Sequence, residues 1–208
     1  MRKIFCVFEV VLFVLLCASC AAPSTSVFKS PIQHTAGLIG TPTLDAYTAM
    51  GFESPEDHVN DGEVQFQLSV LDGITLCGKT GAVFILHSSS DNTSVLENPE
   101  TTQIQYVFSL ENPIEEDYTF TLKLFDTLCD ELGQPEAPIA YPSFAEVSTD
   151  ILASSLPGEP AASDHWILEN GIQVSLTARS LSAEDNQPSG KPCWYVTIDF
   201  KAYENLNT

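Results

Sequence analysis

The sequence predicts an all-β, mainly antiparallel domain, a β-sandwich of about eight to nine strands, immunoglobulin-like or jelly-roll-like, with one or two short helices. Apolar and polar residues alternate with a period of two in several short segments. The turn-forming pairs Asp72-Gly73 and Asn170-Gly171 separate such segments, and the chain has no internal repeat. A β-barrel is the alternative architecture.

Each predicted strand follows from its local pattern. Alternation with one apolar phase predicts a strand with one buried face, whereas the continuous apolar run Ala82–Leu86 predicts a central strand. Trp166 and Trp194 fall on the apolar phase of their segments, so we expect both in the core. The predicted strands are 64–70, 74–77, 82–86, 104–108, 118–124, 166–168, 172–178 and 194–200.

Two short helices are predicted beside the strands. Thr41-Pro42 opens the first, which runs through Met50 and is closed by Gly51. Ser143 and Glu146 have the spacing of a capping box and open the second. Both helices are too short to change the fold class.

The first twenty residues have the layout of an export signal. Arg2 and Lys3 precede an apolar run at 10–16, which ends in Ala18-Ser19-Cys20. That ending resembles the lipobox of bacterial lipoproteins, although Cys17 stands where an aliphatic residue is usual. The resemblance implies that Cys20 becomes a lipidated N-terminus, which would hold the domain at a membrane.

Two other outcomes remain open for the leader. A signal peptidase could cut after Ala21 and release a soluble protein, or the segment could stay as a membrane anchor, against which Glu9 and the short apolar run argue. The predicted organisation is a leader at 1–20, a flexible tether at 21–40 and one β-sandwich domain at 41–208. We expect a cell-envelope location on a membrane, with secretion as the alternative.

Charge narrows the possible partners. The formal net charge of −20 repels nucleic-acid phosphates, so no nucleic acid is expected as a partner. The domain is expected to contact a membrane only through its N-terminal lipid. Its expected ligand is a protein or a glycan. Disulfide pairing among Cys77, Cys129 and Cys193 cannot be deduced from their number.

One segment matches a nucleotide-binding motif letter by letter. Gly73, Gly78, Lys79 and Thr80 satisfy G-x-x-x-x-G-K-[ST]. A P-loop requires a helix after the motif, whereas Gly81–Ile85 is β-branched and apolar. We therefore interpret the match as chance, with Lys79 on an exposed turn, and expect no nucleotide.

The acidic segment 53–63 offers a candidate Ca²⁺ site. Its oxygen-bearing residues are Asp57, Asn60, Asp61 and Glu63. The segment fails the EF-hand pattern, because Val59 and Leu68 occupy ligand positions. A solvated loop is therefore the default interpretation, and no cofactor is predicted.

Tyr195 and Tyr203 are the candidate ligand-binding residues, because they fall on the phase of the last strand opposite to its apolar series. The sequence contains no catalytic motif, so no catalytic residue is assigned. The function expected is a non-catalytic binding or structural module of the envelope. The alternatives are a hydrolase with a site built from loops, or an envelope component that pairs through a sheet edge.

Overall fold

The structure is a computed structural model that describes residues 30–51, 66–88, 99–138, 140–186 and 189–203. The leader, Cys20 and the acidic segment 53–63 lie outside these residues, so their predictions stay predictions. The helices and strands, numbered along the chain, are α1 (Pro31–Ala36), α2 (Thr43–Met50), β1 (Phe66–Leu76), β2 (Lys79–Ser88), β3 (Thr101–Glu111), α3 (Glu115–Leu132), a 3-10 helix (Phe144–Glu146), α4 (Thr149–Ala153), β4 (Pro160–Ile167), β5 (Ile172–Leu181) and β6 (Cys193–Ala202).

The described strands form a single sheet of six in the order β1-β2-β3-β6-β5-β4. Every neighbouring pair is antiparallel. Strands β1–β3 and strands β4–β6 are two meanders, and the pairing of β3 with β6 joins them. Helix α3 lies in the connection between the meanders, which carries the chain from β3 to the far edge at β4.

The core lies on one face of this sheet. Burial alternates along β5, where Ile172, Val174, Leu176 and Ala178 are buried and the residues between them are half-buried. This is the pattern of a strand with one packed face.

Side chains of α1 and α3 pack against that face. The Phe120 ring of α3 contacts the Phe108 ring edge-on at 5.1 Å, and Thr35 of α1 hydrogen-bonds the buried Tyr106 hydroxyl. Both tryptophans are buried, as predicted, and their indole N–H groups are satisfied. Trp166 donates to the Gly133 carbonyl oxygen at 2.9 Å.

The predicted antiparallel β character with short helices is confirmed, but two packed sheets are not. The segment 118–124, predicted as a strand, is part of helix α3. Its threonines create a local alternation, yet the buried residues of the whole helix recur at spacings of three and four. They are Asp117, Phe120, Thr121, Leu124, Phe125 and Leu128. Helices therefore cover the described core face where the prediction placed a second sheet.

The packed domain begins before the predicted boundary at residue 41. Pro31–Ala36 forms helix α1, with Ile32 and Ala36 in the core. Residues 31–40 are thus part of the folded domain and not of a tether, because this short apolar segment buries itself on the sheet. The helix predicted up to Met50 is confirmed, and Gly51 ends it with a φ of 88°.

The first hairpin turn lies elsewhere than predicted. Asp72-Gly73 is inside β1, at an irregularity of the β1–β2 register, which is the usual place of a β-bulge. The turn is Cys77-Gly78, with φ values of 48° and 86°. Positive φ at both positions suits the twist of a two-residue hairpin.

The last hairpin is confirmed between β4 and β5, although its loop is longer than the predicted two-residue turn. Its four residues are Leu168–Gly171, and Gly171 N–H donates to the Leu168 carbonyl oxygen at 2.9 Å. Only Gly171 has a positive φ within this loop. In the ranges that the structure describes, no helix is both long and apolar enough to cross a membrane.

Candidate ligand groove on the outer face of the sheet

The face of the sheet opposite the core, here called the outer face, is polar over β3, β6, β5 and β4. Its side chains alternate with buried core residues along each strand. Serine, threonine and glutamine dominate it, as on the solvent-facing side of an antiparallel sheet. Its polar residues include Gln103, Gln105, Ser109, Ser163, His165, Gln173, Ser175, Thr177, Arg179, Tyr195, Thr197, Asp199 and Lys201.

A groove of about 300 Å³ runs over β5 and β6 on this face. In the strand register Arg179 lies opposite Tyr195, Thr177 opposite Thr197, and Ser175 opposite Asp199. Arg179 and Asp199 thus stand near the two ends, about 13 Å apart along the strands from the rise per residue. The lining consists of Gln105, Pro160, Thr177, Arg179, Tyr195, Thr197 and Asp199.

Arg179 occupies the positive end of the groove. Its guanidinium lies over the Tyr195 ring, 5.1 Å from the centroid, in a cation–π contact. The ion pairs of the described residues are Lys79–Asp117 and Lys191–Glu111, so Arg179 has no carboxylate partner among them. The guanidinium therefore keeps its hydrogen-bond donors for a ligand.

Asp199 occupies the other end, held by two amides. Gln103 and Gln105 each donate from Nε2 to Asp199 Oδ1 at 2.7 Å. Because both donors use the same oxygen, Oδ2 has no donor among the residues described. The groove thus presents a carboxylate oxygen that can accept hydrogen bonds from a ligand.

Tyr195, at the Arg179 end of the groove, remains a neutral phenol. Burial raises the pKa of Tyr195, Arg179 lowers it, and Asp199 and Cys193 raise it further. The hydroxyl therefore stays protonated at neutral pH and can donate a hydrogen bond. Tyr203, the other candidate from the sequence, lies just beyond β6, is 42% exposed and is not among the lining residues.

The P-loop match lies on the first hairpin. Gly73 is in β1, Gly78 is in the turn, and Lys79 and Thr80 begin β2. The expectation of an exposed lysine is wrong: Lys79 is 32% exposed and its Nζ lies 2.6 Å from Asp117 Oδ1. A strand follows the lysine where a P-loop requires a helix.

Asp117 anchors the start of helix α3 to this hairpin. Its Oδ2 accepts from the Ile114 N–H at 2.9 Å, while Oδ1 binds Lys79. An acid in the first turn is also favoured by the helix dipole. The lysine of the motif match therefore serves the packing of α3 onto β2.

The thiols form no disulfide in the described part of the chain, where Cys77, Cys129 and Cys193 are free. Burial raises the pKa of Cys129, and the nearby carboxylates of Asp164, Asp126 and Asp130 raise it further. A protonated thiol is a poor nucleophile. Among the described residues, no group of three His, Cys, Asp or Glu side chains could hold a metal ion.

Comparisons of this chain with protein-family models, with curated proteins and with solved structures find no match. The geometry of the site is therefore the basis for the function proposed below. Sequence reasoning identified Tyr195 but missed its neighbours Arg179, Thr177 and Asp199. One signal was available for Arg179: it is the only arginine besides Arg2 in a chain of net charge −20, and it lies on the polar phase of a strand.

Proposed function

We propose that this chain is an exported envelope protein, tethered by lipid on Cys20, that acts as a non-catalytic binding module. The observation that carries the binding role is the groove on the outer face, which combines a guanidinium, a carboxylate and two threonine hydroxyls. Concave sites with a few convergent polar groups are the usual form of ligand sites. The groove lies on paired strands, so the backbone positions of its residues are fixed by the hydrogen bonds between the strands and do not depend on loops.

A glycan is the ligand class that this lining favours. Sugar hydroxyls both donate and accept, and the groove offers both functions: the hydroxyl of Thr177, which also bonds Ser163 Oγ at 3.0 Å, the hydroxyl of the largely buried Thr197, and an acceptor on Asp199. The −20 charge of the chain disfavours nucleic acid, and the export signal would place the groove where envelope polysaccharides occur.

The binding role is tested by blocking the groove. The full chain, immobilised from detergent, is exposed to the soluble polysaccharide fraction of envelopes from the source cells, and retained carbohydrate is measured. Thr177→Trp should abolish retention because the indole fills the groove. Lys201→Trp is the matched control, since Lys201 is exposed on the same face but does not line the groove. Equal retention by both variants, or none by the wild type, would rule out this role.

The lipid anchor is tested separately. Mass spectrometry of the mature N-terminus should find a diacylglycerol-modified Cys20, and Cys20→Ala should move the protein from the membrane to the soluble fraction. An unmodified N-terminus at Ala22 would refute the anchor and leave the binding proposal intact.

Pairing through a sheet edge is the second candidate function. Loop main-chain groups cover the β4 edge, where Ser163 N–H donates to the Pro142 carbonyl oxygen and Glu136 N–H donates to the His165 carbonyl oxygen. Strand β1 is the outermost described strand at the other edge. An assembly role would require β1 to pair with a partner strand. A Pro substitution at Ser69 should then disrupt assembly and leave glycan retention unchanged.

A further inference from the structure

The position of Arg179 indicates which charge the ligand carries. The sequence has eight basic residues against twenty-eight acidic ones, and Arg179 is the only arginine outside the leader. Of the four described lysines, Lys79 and Lys191 are ion-paired, and neither Lys123 nor Lys201 lines the groove. The Arg179 guanidinium has no ion-pair partner among the described residues, and it lies in the groove of the outer face.

Cation–π stacking fixes this guanidinium without neutralising it. The Tyr195 ring, 5.1 Å from the Arg179 guanidinium carbon, orients the planar group, and the direct β5–β6 register pair holds the two side chains together. A guanidinium over a ring face keeps its N–H groups available, and two of them form a fork that can bind a planar oxyanion by parallel hydrogen bonds. A lysine ammonium would supply charge but not this fork.

We propose that the groove binds an acidic sugar, with the Arg179 fork holding its carboxylate. Hydroxyls of that sugar and of the next units of the same oligosaccharide would contact Thr177, Thr197 and Oδ2 of Asp199, because the two ends of the groove lie about 13 Å apart. This inference rests on the proposed binding function and names its ligand class.

The negative charge of the chain selects among anions. Asp199 lines the same groove, and the surrounding protein carries a formal charge of −20. This field repels the charge of the group that Arg179 holds, so a phosphate dianion at that position is penalised about twice as much as a carboxylate monoanion. The guanidinium fork suits both groups, and the repulsion therefore favours the carboxylate.

The test uses three probes on the full chain in detergent, measured by isothermal titration calorimetry. Trigalacturonate carries both carboxylates and hydroxyls, its methyl ester keeps the sugar but removes the charge, and triglutamate keeps the carboxylates without the sugar. The wild type should bind trigalacturonate at least about tenfold more tightly than either of the other probes, the equivalent of one close ionic contact.

Variants test whether the preference for a charged ligand comes from the Arg179 guanidinium. Arg179→Gln should reduce the affinity for trigalacturonate to that of its ester, and Arg179→Lys should restore only part of the difference. Lys201→Gln removes an exposed cation from the same face and should leave the affinity unchanged. Thermal midpoints of the three variants check that each is folded.

Specific outcomes overturn the inference. If trigalacturonate and its methyl ester bind equally well, recognition of the carboxylate is refuted. If triglutamate binds as tightly as trigalacturonate, recognition of the sugar is refuted. If Lys201→Gln loses as much affinity for trigalacturonate as Arg179→Gln, the effect comes from the overall charge of the face and not from Arg179. If the wild type does not bind trigalacturonate, the ligand class is refuted. If trigalacturonate fails while Thr177→Trp still abolishes retention of envelope polysaccharide, the binding function stands and only the acidic-sugar inference fails.

Discussion

Truncation of Trp194 tests whether β6 and α3 form the centre of the core. The side chain is fully buried. Its indole N–H donates to Thr121 Oγ1 at 2.8 Å, and the Tyr118 ring contacts it edge-on with centroids 5.0 Å apart. Trp194→Ala removes the buried apolar surface, the hydrogen bond to Thr121 and the ring contact with Tyr118, and it leaves a cavity. We therefore expect a loss of about 3–5 kcal/mol in the free energy of unfolding.

A milder pair of substitutions separates the hydrogen bond from the packing. Trp194→Phe keeps an aromatic ring but removes the donor, and should cost about 1–2 kcal/mol. Thr121→Val removes the acceptor at nearly constant volume and should cost about 1–3 kcal/mol, because the indole N–H is then buried without a partner. The double variant should be less damaging than the sum of the two by about 0.5–1.5 kcal/mol.

Urea denaturation followed by far-ultraviolet circular dichroism measures these losses without using tryptophan fluorescence. Tyr203→Ala is the matched aromatic control: the side chain is 42% exposed, and its loss should change stability by less than about 0.5 kcal/mol. An unchanged midpoint and slope for Trp194→Ala would refute the core assignment. Exact additivity of Trp194→Phe and Thr121→Val would refute the hydrogen bond.

Two further predictions concern buried polar groups. Burial raises the pKa of Tyr106 from 10.0 to about 12, although its hydrogen bond to Thr35 lowers the pKa in part. The folded chain therefore holds the phenol proton more tightly than the unfolded chain does. The resulting contribution to stability is complete below pH 10 and declines by about 3 kcal/mol as the pH rises to about 12. Tyr106→Phe should flatten that decline in alkaline denaturation curves, and an unchanged slope would contradict the account. Lys79→Met leaves the 8%-exposed carboxylate of Asp117 without its partner and should cost about 1–2 kcal/mol, whereas Lys191→Met, at a more exposed pair, should cost less than about 0.5 kcal/mol. Equal losses for the two lysines in urea denaturation would show that burial of the pair does not matter.

The sequence predicts an element correctly when the alternation of buried and exposed residues is visible within the element itself. Strand β5 alternates over its length, and Gly51 ends α2 where a left-handed residue is needed. Helix α3 was missed because seven residues around Phe120 alternate like a strand, while the helical period appears only over the eighteen residues of Glu115–Leu132. The predicted second sheet is therefore not confirmed, because that one segment decides whether a helix or a strand covers the described core face.

The groove could be predicted only in part. The phase of Tyr195 in β6 is a local property, so the sequence places it on the outer face. The neighbours of Tyr195 depend on the β5–β6 register, which brings Arg179 opposite it, and on the β3–β6 register, which brings Gln105 opposite Asp199. Registers between strands are set by the packing of the whole face, and no short segment encodes them.

Amide chemical-shift mapping of the full chain with trigalacturonate shows directly whether the groove over β5 and β6 binds the ligand. We expect saturable shifts at Thr177, Arg179, Tyr195 and Thr197, which lie together only if β5 and β6 pair in the observed register. Val83 and Ile85, on the core face of β2, should not shift. Shifts spread evenly over the sheet, or absent from the β5–β6 groove at saturating ligand, would contradict the account.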